Sequence, residues 1–430
     1  MDAGNFGPGW TWVLLPVAAH AGIVLVLWFH PALYGPGAAS VTAVDLAIYF
    51  RYASLTLAGA VPFRDFLVEY PPLALGVFLL PRLFADTLAS YRPPFAALML
   101  LFDALGAYLV ALCLTDRGDG RLLPRRLGWY ALCVAALYPF LANRYDWAPM
   151  AVAFAATRIW FGGRPVMGGA TAALGTLLKL FPAVVAALGL TYEAREIRST
   201  RLRGAATFTV IMLIAGAAWL ALGGMRSLEY QVGRGLQIET LWAGIVMALA
   251  KSVGVKLTWR FASGSATLVT PRVPALDAVI WSAQGTALLL AMWQGWRSRM
   301  DDAFRSVGAG ILGFAITGRV LSPQYMIWLV PFLAVVRGRT GRWARRLFLP
   351  ACVLTTLIYP LTYGWLLTFQ PWAIGLLNVR NALLVGLLAV LLFDKGPRAG
   401  SAKSDGKPHP RQGRNRGERV HAEDNHLRLN

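Results

Sequence analysis

The sequence predicts an all-α, polytopic transmembrane helical bundle of about twelve helices. Hydrophobic residues make up 57% of the 430 residues and charged residues only 14%, and the mean hydropathy is +0.53. Apolar runs of roughly 17 to 25 residues recur along the chain, and a helix of that length crosses a bilayer. Together these observations exclude an ordinary soluble protein.

The first apolar run, about Trp12 to Phe29, predicts the first helix. No basic region precedes it and it has no clear small-residue cleavage site, so we interpret it as a retained helix rather than a cleaved signal peptide. The other predicted helices cover about 94–114, 128–142, 146–161, 165–178, 181–192, 204–222, 275–294, 305–320, 324–336, 347–366 and 375–393.

Basic residues are concentrated in short segments between these helices. Loops 115–127, 193–203, 295–305 and 337–346, together with the tail after Asp394, hold 25 of the 41 Lys and Arg residues. Lys and Arg in short loops mark the cytoplasmic side of a membrane protein. These loops and the C-terminus are therefore predicted to face inward, in a multi-pass protein of a bacterial inner or plasma membrane.

The net charge of +20 also raises the question of nucleic-acid binding. The basic residues follow the pattern of membrane topology instead, so no nucleic-acid partner is predicted. Residues 395–430 are rich in Gly, Pro, Lys and Arg and have almost no large apolar residues, which predicts a disordered cytoplasmic tail near anionic lipid. Residues 1–394 form the predicted transmembrane domain.

The chemically distinctive residues then fall on the outer side. The first outer loop is 30–93, and 223–274 is a second outer segment, although six basic against two acidic residues there weakly oppose the assignment. Long loops report charge bias poorly, so the assignment is kept. In the first loop, the proline-bounded run Leu73 to Leu80 predicts an interfacial or re-entrant helix; a slightly longer spanning helix is the alternative.

Acids, tyrosines and arginines cluster near the start of the first outer loop. If residues 43–58 are helical, Asp45, Tyr49 and Tyr52 share one face of an amphipathic helix that lies along the membrane. The Asp45 carboxylate can then accept a proton from an incoming hydroxyl group as a general base. The alternative is that Asp45 caps the helix or forms a salt bridge with Arg51.

The next segment reads Pro62-Phe63-Arg64-Asp65-Phe66 and then Glu69-Tyr70-Pro71-Pro72. Helical spacing places Asp65 and Glu69 on one face, and Arg64 can bridge a carboxylate or bind phosphate. These three residues and Tyr70 are candidate substrate-binding residues. A purely structural ion pair is the alternative for Asp65.

Four further outer features hold the remaining candidate substrate-binding residues. A lone cation at membrane depth usually pairs with an anion, so Lys179 and Arg319 are the best candidates for a phosphate partner. The alternative is that each merely extends to the membrane interface. The candidates are Arg144 and Asp146 in Asn143–Asp146, Lys179 in Lys-Leu-Phe-Pro, Gln237 and Glu239 in Gly-Leu-Gln-Ile-Glu, and Arg319, Gln324 and Tyr325 in 319–325.

The sequence predicts no metal or cofactor site. The cysteines Cys113, Cys133 and Cys352 are isolated in apolar runs without zinc or disulfide spacing, so we interpret them as packing residues. None of the five histidines lies near another ligand-type residue in a membrane segment, which opposes a histidine-based metal site. Asp103, the main acid at membrane mid-depth, is interpreted as a satisfied core group.

Several of these motifs occur in an order that resembles the GT-C superfamily of membrane glycosyltransferases. The resemblance is closest to glycosyltransferase family 87, the polyprenol-phosphate-mannose-dependent mannosyltransferases and their relatives. It covers about Asp45 to Asn381, and the order of the motifs is more specific than any one of them. The motifs are the early Asp in a Tyr-rich loop, Pro-Phe-Arg-Asp-Phe, Glu-Tyr-Pro-Pro-Leu, Arg-Tyr-Asp, Lys-Leu-Phe-Pro, Gly-Leu-Gln-Ile-Glu and Ser-Pro-Gln-Tyr.

The resemblance implies an enzyme with an outward-facing active site. In GT-C enzymes an acid in the first outer loop deprotonates the acceptor hydroxyl, which displaces a polyprenyl phosphate from the sugar with inversion; Asp45 matches that position. The implied partners are a polyprenyl-phosphate sugar donor, a lipid or glycan acceptor and membrane lipids. Lys179 and Arg319, with Arg64 or Arg144, could stabilise the leaving phosphate.

The chain also departs from better-known members of the superfamily. It has no large soluble domain after the last predicted helix, and Arg144-Tyr145-Asp146 stands where an Asp-x-Asp pair would be expected, so the implied enzyme is metal-free. Two other classes stay open. A transporter should show an internal repeat, and we find no convincing one. A non-catalytic lipid-binding membrane protein would have the same sequence features as an enzyme, so only an activity measurement distinguishes the two.

Overall fold

The computed structural model describes residues 9–34, 38–195, 202–269, 274–298 and 302–394; the predicted tail lies outside them. The predicted all-α helical bundle is confirmed in these ranges. The helices are α1 (Gly9–Phe29), α2 (Ala38–Leu57), α3 (Ala74–Arg82), α4 (Leu88–Asp116), α5 (Leu123–Ala136), α6 (Trp147–Phe161), α7 (Pro165–Leu178), α8 (Ala183–Arg195), α9 (Arg203–Ala221), α10 (Met225–Val232), α11 (Leu241–Ser252), α12 (Pro274–Arg297), α13 (Ala303–Thr317), α14 (Val330–Val335), α15 (Gly338–Thr356), α16 (Tyr363–Leu367) and α17 (Pro371–Phe393).

Six helices in the described ranges are long and apolar enough to cross a membrane. They are α1, α4, α9, α12, α15 with its continuation to Leu361, and α17. Other predicted spans form shorter helices: α5, α6, α7, α8 and α13 have 13 to 15 residues. Such helices are roughly 20 to 22 Å long, less than the roughly 30 Å hydrocarbon core. The protein is therefore a multi-pass membrane protein that combines full-length candidate spans with shorter helices.

Two helices begin well before their predicted starts. α4 begins at Leu88 because Thr87 accepts a hydrogen bond from the Ser90 backbone amide, while the Ser90 hydroxyl accepts one from the Thr87 amide. This capping box outweighs the Pro93-Pro94 pair six residues later. α15 begins at Gly338, so most of the predicted loop 337–346 is helical. Arg345 donates to the carbonyls of Leu333 and Val336, which end the preceding helix α14.

The four predicted cytoplasmic loops lie at one end of the bundle, joined by arginines that donate to backbone carbonyls. Arg195 donates to Trp296 and Ser298, and Arg337 binds the Asp119 carboxylate at 2.6 Å and the Arg117 carbonyl at 2.8 Å. Asp394, just after α17, joins the two pairs of loops. Arg305 Nη2 donates to the Asp394 carbonyl at 2.9 Å, and Thr340 Oγ1 donates to Asp394 Oδ2 at 2.7 Å. The basic residues thus organise one face of the molecule.

A buried polar contact joins the first helices. His20 Nδ1 lies 2.5 Å from Asp103 Oδ2, and the Tyr130 hydroxyl donates to Asp103 Oδ1 at 2.8 Å. Both His20 and Asp103 are fully buried. Asp103 is therefore a satisfied core group, as predicted, but the expectation that no histidine approaches a ligand-type residue in a membrane segment was wrong. The pair joins α1 to α4, 83 residues apart, which no sequence spacing reveals.

The opposite end of the bundle carries irregular segments and a small sheet. Strands β1 (Trp259–Ala262) and β2 (Ser265–Leu268) form an antiparallel hairpin that the sequence analysis missed. The short helix α3 has nine residues, about 14 Å, so it does not span; the predicted interfacial or re-entrant helix fits its length. These segments position the candidate site.

Candidate active site

Asp45 lies in the second turn of α2 and pairs with a residue far away in sequence. Its carboxylate forms an ion pair with Arg144, which belongs to the turn before α6. The Arg144 side chain is 7% exposed, and that of Asp45 is 21% exposed. Because α2 begins at Ala38, Asp45 is not a helix cap, and its partner is not Arg51. A nearly buried guanidinium therefore holds a carboxylate that solvent still reaches.

A second ion pair lies two residues further along the same turn. Lys179 Nζ donates to Asp146 Oδ1 at 2.6 Å, and the Trp328 indole donates to the same oxygen at 2.7 Å. Asp146 is fully buried, and its other oxygen, Oδ2, has no hydrogen-bond partner among the described residues. A buried carboxylate oxygen that accepts no hydrogen bond costs folding free energy. Asp146 Oδ2 is therefore suited to accept a hydrogen bond from a ligand hydroxyl or from a water molecule.

Aromatic rings enclose the Lys179 ammonium. It lies 4.7 Å from the ring centroid of Tyr145, 5.4 Å from that of Trp328 and 5.6 Å from that of Tyr325. Burial lowers the pKa of Lys179, and the Asp146 carboxylate opposes that shift; two nearby arginines, Arg144 and Arg234, lower the pKa further. Arg144 and Arg234 therefore lie close enough to Lys179 for their charges to act on it.

Tyr49 and Tyr70 belong to the aromatic packing behind Asp45 rather than to an open wall. The Tyr49 ring stacks on Phe78 with centroids 4.3 Å apart and meets the Tyr70 and Tyr145 rings edge-on. Tyr49 is 1% exposed. Leu46, the residue after Asp45 in α2, is buried as well, so α2 is covered on more than one side.

Glu69 is held by two phenols. The Tyr230 hydroxyl donates to Glu69 at 2.8 Å, and the Tyr52 hydroxyl at 3.4 Å. The Gln231 side-chain amide donates to the Glu69 carbonyl at 2.7 Å. These bonds fix α10 against the predicted first outer loop. Tyr52 therefore faces Glu69, and Tyr230 is a site neighbour that the sequence analysis did not identify.

The segment around Arg64 and Asp65 is a tight turn, so the prediction that Asp65 and Glu69 share a helical face was wrong. The Phe63 amide donates to the Phe66 carbonyl, and Phe63 has a φ of 70°. Burial of the Phe63 ring against Trp219 favours this turn over a helix. Arg64 Nε donates to Asp65 Oδ1 at 2.8 Å, and this exposed pair lowers the pKa of Asp65 to about 2.

Gln237 and Glu239 lie in a bend before α11. The Gln237 amide donates to the Arg319 carbonyl at 3.0 Å, and its side-chain oxygen accepts from Ser322 at 3.4 Å. Glu239 is 2% exposed, and burial raises its pKa to about 7. Arg380 of α17 donates to the Glu239 carbonyl at 2.6 Å. Arg380 was missed, although a single Arg inside an apolar span is itself a signal.

The two predicted phosphate ligands have different partners. Arg319 forms an ion pair with Asp277 at the start of α12, whereas Lys179 pairs with Asp146. Near Lys179, the Tyr325 ring stacks on Trp328 with centroids 3.9 Å apart, and Gln324 Oε1 is buried without a hydrogen-bond partner in the described chain. The structure thus pairs Asp45 with Arg144. It groups Asp146 with Lys179 and Tyr325. Arg319 lines a neighbouring pocket.

No cluster of three or more His, Cys, Asp or Glu residues that could hold a metal ion occurs in the described ranges. The functional groups around Asp45 and Lys179 are carboxylates, guanidiniums, an ammonium and phenols. They can accept a proton, orient hydroxyl groups and stabilise a phosphate.

No family model and no curated protein matches the chain. Among solved structures it is similar to the crystal structure of ArnT from Cupriavidus metallidurans in the apo state. The sequence identity is 15%, the TM-score is 0.44, and the match covers 90% of this chain and 78% of that chain. A likeness of this degree does not assign a function.

Proposed function

We propose that this protein is an inverting glycosyltransferase that moves a hexose from a polyprenyl-phosphate donor to a hydroxyl group of a lipid or glycan acceptor. The resemblance to family 87 favours mannose as the sugar. The observation that carries the proposal is the partly exposed Asp45 carboxylate, which forms an ion pair with the nearly buried Arg144. The buried Asp146–Lys179 ion pair lies next to it. The site faces the outside of the cell membrane in this proposal, because the basic loops lie at the other end.

Asp45 serves as the general base. Its exposed fraction lets an acceptor hydroxyl approach, and the ion pair with Arg144 fixes the carboxylate in one orientation. A carboxylate need not be a strong base here, because the hydroxyl proton becomes acidic as its oxygen bonds to the anomeric carbon. Arg144 is then a positioning residue for Asp45.

Lys179 supports the leaving group. A phosphate leaving group carries its negative charge away from the anomeric carbon, and a fixed cation stabilises that charge as it develops. Arg144 and Arg234 both act electrostatically on Lys179, so the positive potential at its ammonium is raised. The unpaired Asp146 Oδ2 suits a hydrogen bond from a sugar hydroxyl, which would orient the hexose beside Lys179.

The reaction balances without a cofactor. The acceptor oxygen forms a bond to the anomeric carbon as the bond between that carbon and the phosphate oxygen breaks. The hydroxyl proton passes to Asp45, and the polyprenyl phosphate departs as the anion. Attack opposite to the leaving group inverts the anomeric configuration.

Sugar transfer by the purified protein in lipid vesicles tests the proposal. Polyprenyl-phosphate mannose, glucose and arabinose are offered separately, and the lipid and glycan products are analysed for the transferred sugar and its anomeric configuration. Transfer with inversion, strongest for mannose, is expected. Retention of configuration would contradict the mechanism. Donor binding without any transfer would favour a non-catalytic lipid-binding protein.

A further inference from the structure

A cavity of about 450 Å³ lies beside the candidate active site, and none of the steps above uses it. Its walls come from the end of α10 and the segment after it, the β1–β2 hairpin, the first turns of α12, and Arg319. We call it the arginine pocket. Its charged lining residues are Arg234, Arg260, Asp277 and Arg319.

The arginine pocket carries two more positive than negative formal charges. Asp277 pairs with Arg319, and Arg234 Nη2 donates to the Ser263 carbonyl at 3.1 Å. The Nε atoms of Arg234 and Arg319 are buried without a hydrogen-bond partner in the described part of the chain. Guanidinium donors left unpaired are costly, and phosphate oxygens satisfy them in the fork geometry that arginine offers.

One wall of the pocket belongs to a candidate membrane span, α12. Leu276, Ile280 and Trp281 of α12 line it. α12 is a candidate membrane span whose most apolar stretch is only 17% buried within the protein, and Trp281 is 57% exposed. A ligand with its charged group among the arginines therefore has room for an apolar chain along α12. This arrangement fits a lipid phosphate better than a water-soluble anion.

The Asp277 carboxylate already binds the Arg319 guanidinium that a phosphate would bind. Its side chain is 42% exposed, and it lies in the first turn of α12, where the helix dipole also favours a carboxylate. An exposed carboxylate can turn to water at little cost, which would free Arg319. A phosphate entering the pocket must therefore compete with Asp277.

We infer that the arginine pocket binds the phosphate of a membrane lipid through Arg234, Arg260 and Arg319, and that Asp277 is a built-in competitor for that phosphate. The inference rests on the proposed function only for which lipid is bound. Arg234 links the pocket to the candidate active site, since it also acts electrostatically on Lys179 and Tyr325. The phosphate can belong to a polyprenyl phosphate or to an anionic phospholipid.

Binding of radiolabelled polyprenyl phosphate, without a sugar, to the purified full-length protein tests the inference. Asp277→Asn should tighten binding several-fold, because the competing charge is gone. Arg260→Gln should weaken it roughly tenfold, as for a lost charge-assisted contact. Asp86→Asn is the matched control: Asp86 is also an exposed acid paired with an arginine, but it lies outside the pocket, and no change is expected. Unchanged or weaker binding by Asp277→Asn would overturn the inference.

Competition experiments identify the lipid. Displacement by unlabelled polyprenyl phosphate but not by phosphatidylglycerol supports the inference with a polyprenyl phosphate as ligand; equal displacement by both supports it with anionic phospholipids as ligands. Equal displacement by uncharged polyprenol would overturn it, because the arginines would then have no role. Because no sugar is transferred in this assay, an inactive protein that still binds would reject the proposed function and leave the pocket assignment standing.

Discussion

Asp45 and Arg144 form an ion pair that joins the interior of α2 to the turn before α6. The pair connects the early acid of the predicted first outer loop with the Arg-Tyr-Asp motif, 99 positions later. Asp146, the acid of that motif, binds Lys179 of the Lys-Leu-Phe-Pro motif. Three motifs that are separate in sequence are thus linked by two ion pairs, and this linkage gives the following predictions.

Replacing Arg144 should impair catalysis by releasing Asp45. Arg144→Gln is expected to lower kcat strongly and to change donor KM less, because the carboxylate remains but loses its fixed orientation. Arg144→Lys should recover part of kcat, since it keeps the charge without the planar fork. Steady-state kinetics of both variants checks this. If both variants kept wild-type kcat, Arg144 would not position the base.

Variants of the Asp146–Lys179 pair can separate a structural role of Lys179 from a role in donor binding. Lys179→Met alone should destabilise the protein by about 3 to 5 kcal/mol, because it leaves a buried carboxylate unpaired. The double variant Lys179→Met with Asp146→Leu should recover most of that stability. Donor binding should stay weak in both, whereas acceptor binding should change less. Thermal unfolding and donor titration measure the two effects, and restored donor binding in the double variant would show that Lys179 is only structural.

Glu239 should make stability fall as pH rises. Burial raises its pKa to about 7 in the folded protein, above its ordinary value of 4.5. The folded state therefore binds more protons than the unfolded state between these values, so this group's contribution to the free energy of unfolding decreases from about pH 4.5 to above pH 7, by on the order of 3 kcal/mol. Glu239→Gln should flatten the dependence of Tm on pH across this window. An identical slope in the variant would contradict the assignment.

Single cysteines should report which end of the bundle faces outward. The three native cysteines are buried, so they need not be removed. Cysteine at Arg64 should react with an impermeant maleimide added to intact cells. Cysteine at Arg342, in the basic end, should react only after permeabilisation. Labelling of both from the same side would contradict the proposed orientation of the site.

The sequence predicted the helical class and most helices because long apolar runs leave few alternatives in a membrane. It also identified the arginine-rich loops that meet at one end. Helix starts were harder, since a capping box moved the start of α4 to Leu88 and the arginines of 337–346 proved helical. The β1–β2 hairpin was missed because the predicted outer segment 223–274 was analysed for its charge and its Gly-Leu-Gln-Ile-Glu motif and not for strand patterns.

For the candidate site residues, the sequence could not predict the ion-pair partners. Asp45, Arg144, Asp146 and Lys179 were all candidates, but each ion pair depends on tertiary contacts that spacing does not encode. Arg234 was not among the candidates because it lies between Gly233 and Gly235, outside the motifs that were singled out, and only the fold shows that it lines a cavity.

The turn at Arg64 was misinterpreted for a different reason. Charge spacing favoured a helix, whereas the chain turns at Phe63, which has a φ of 70°, and buries its ring against Trp219. Charge spacing carries no information about this tertiary contact, so it could not predict the turn.

The role of Asp45 is the central claim, and turnover of Asp45→Asn tests it most directly. The variant keeps the shape of the side chain and removes the base, so transfer from a polyprenyl-phosphate sugar should fall by roughly 10² to 10⁴ while donor affinity changes little. Asp86→Asn, which removes an exposed carboxylate outside the site, should retain wild-type turnover. Wild-type turnover by Asp45→Asn, with loss of activity in Glu69→Gln or Asp146→Asn instead, would contradict the assignment of the base.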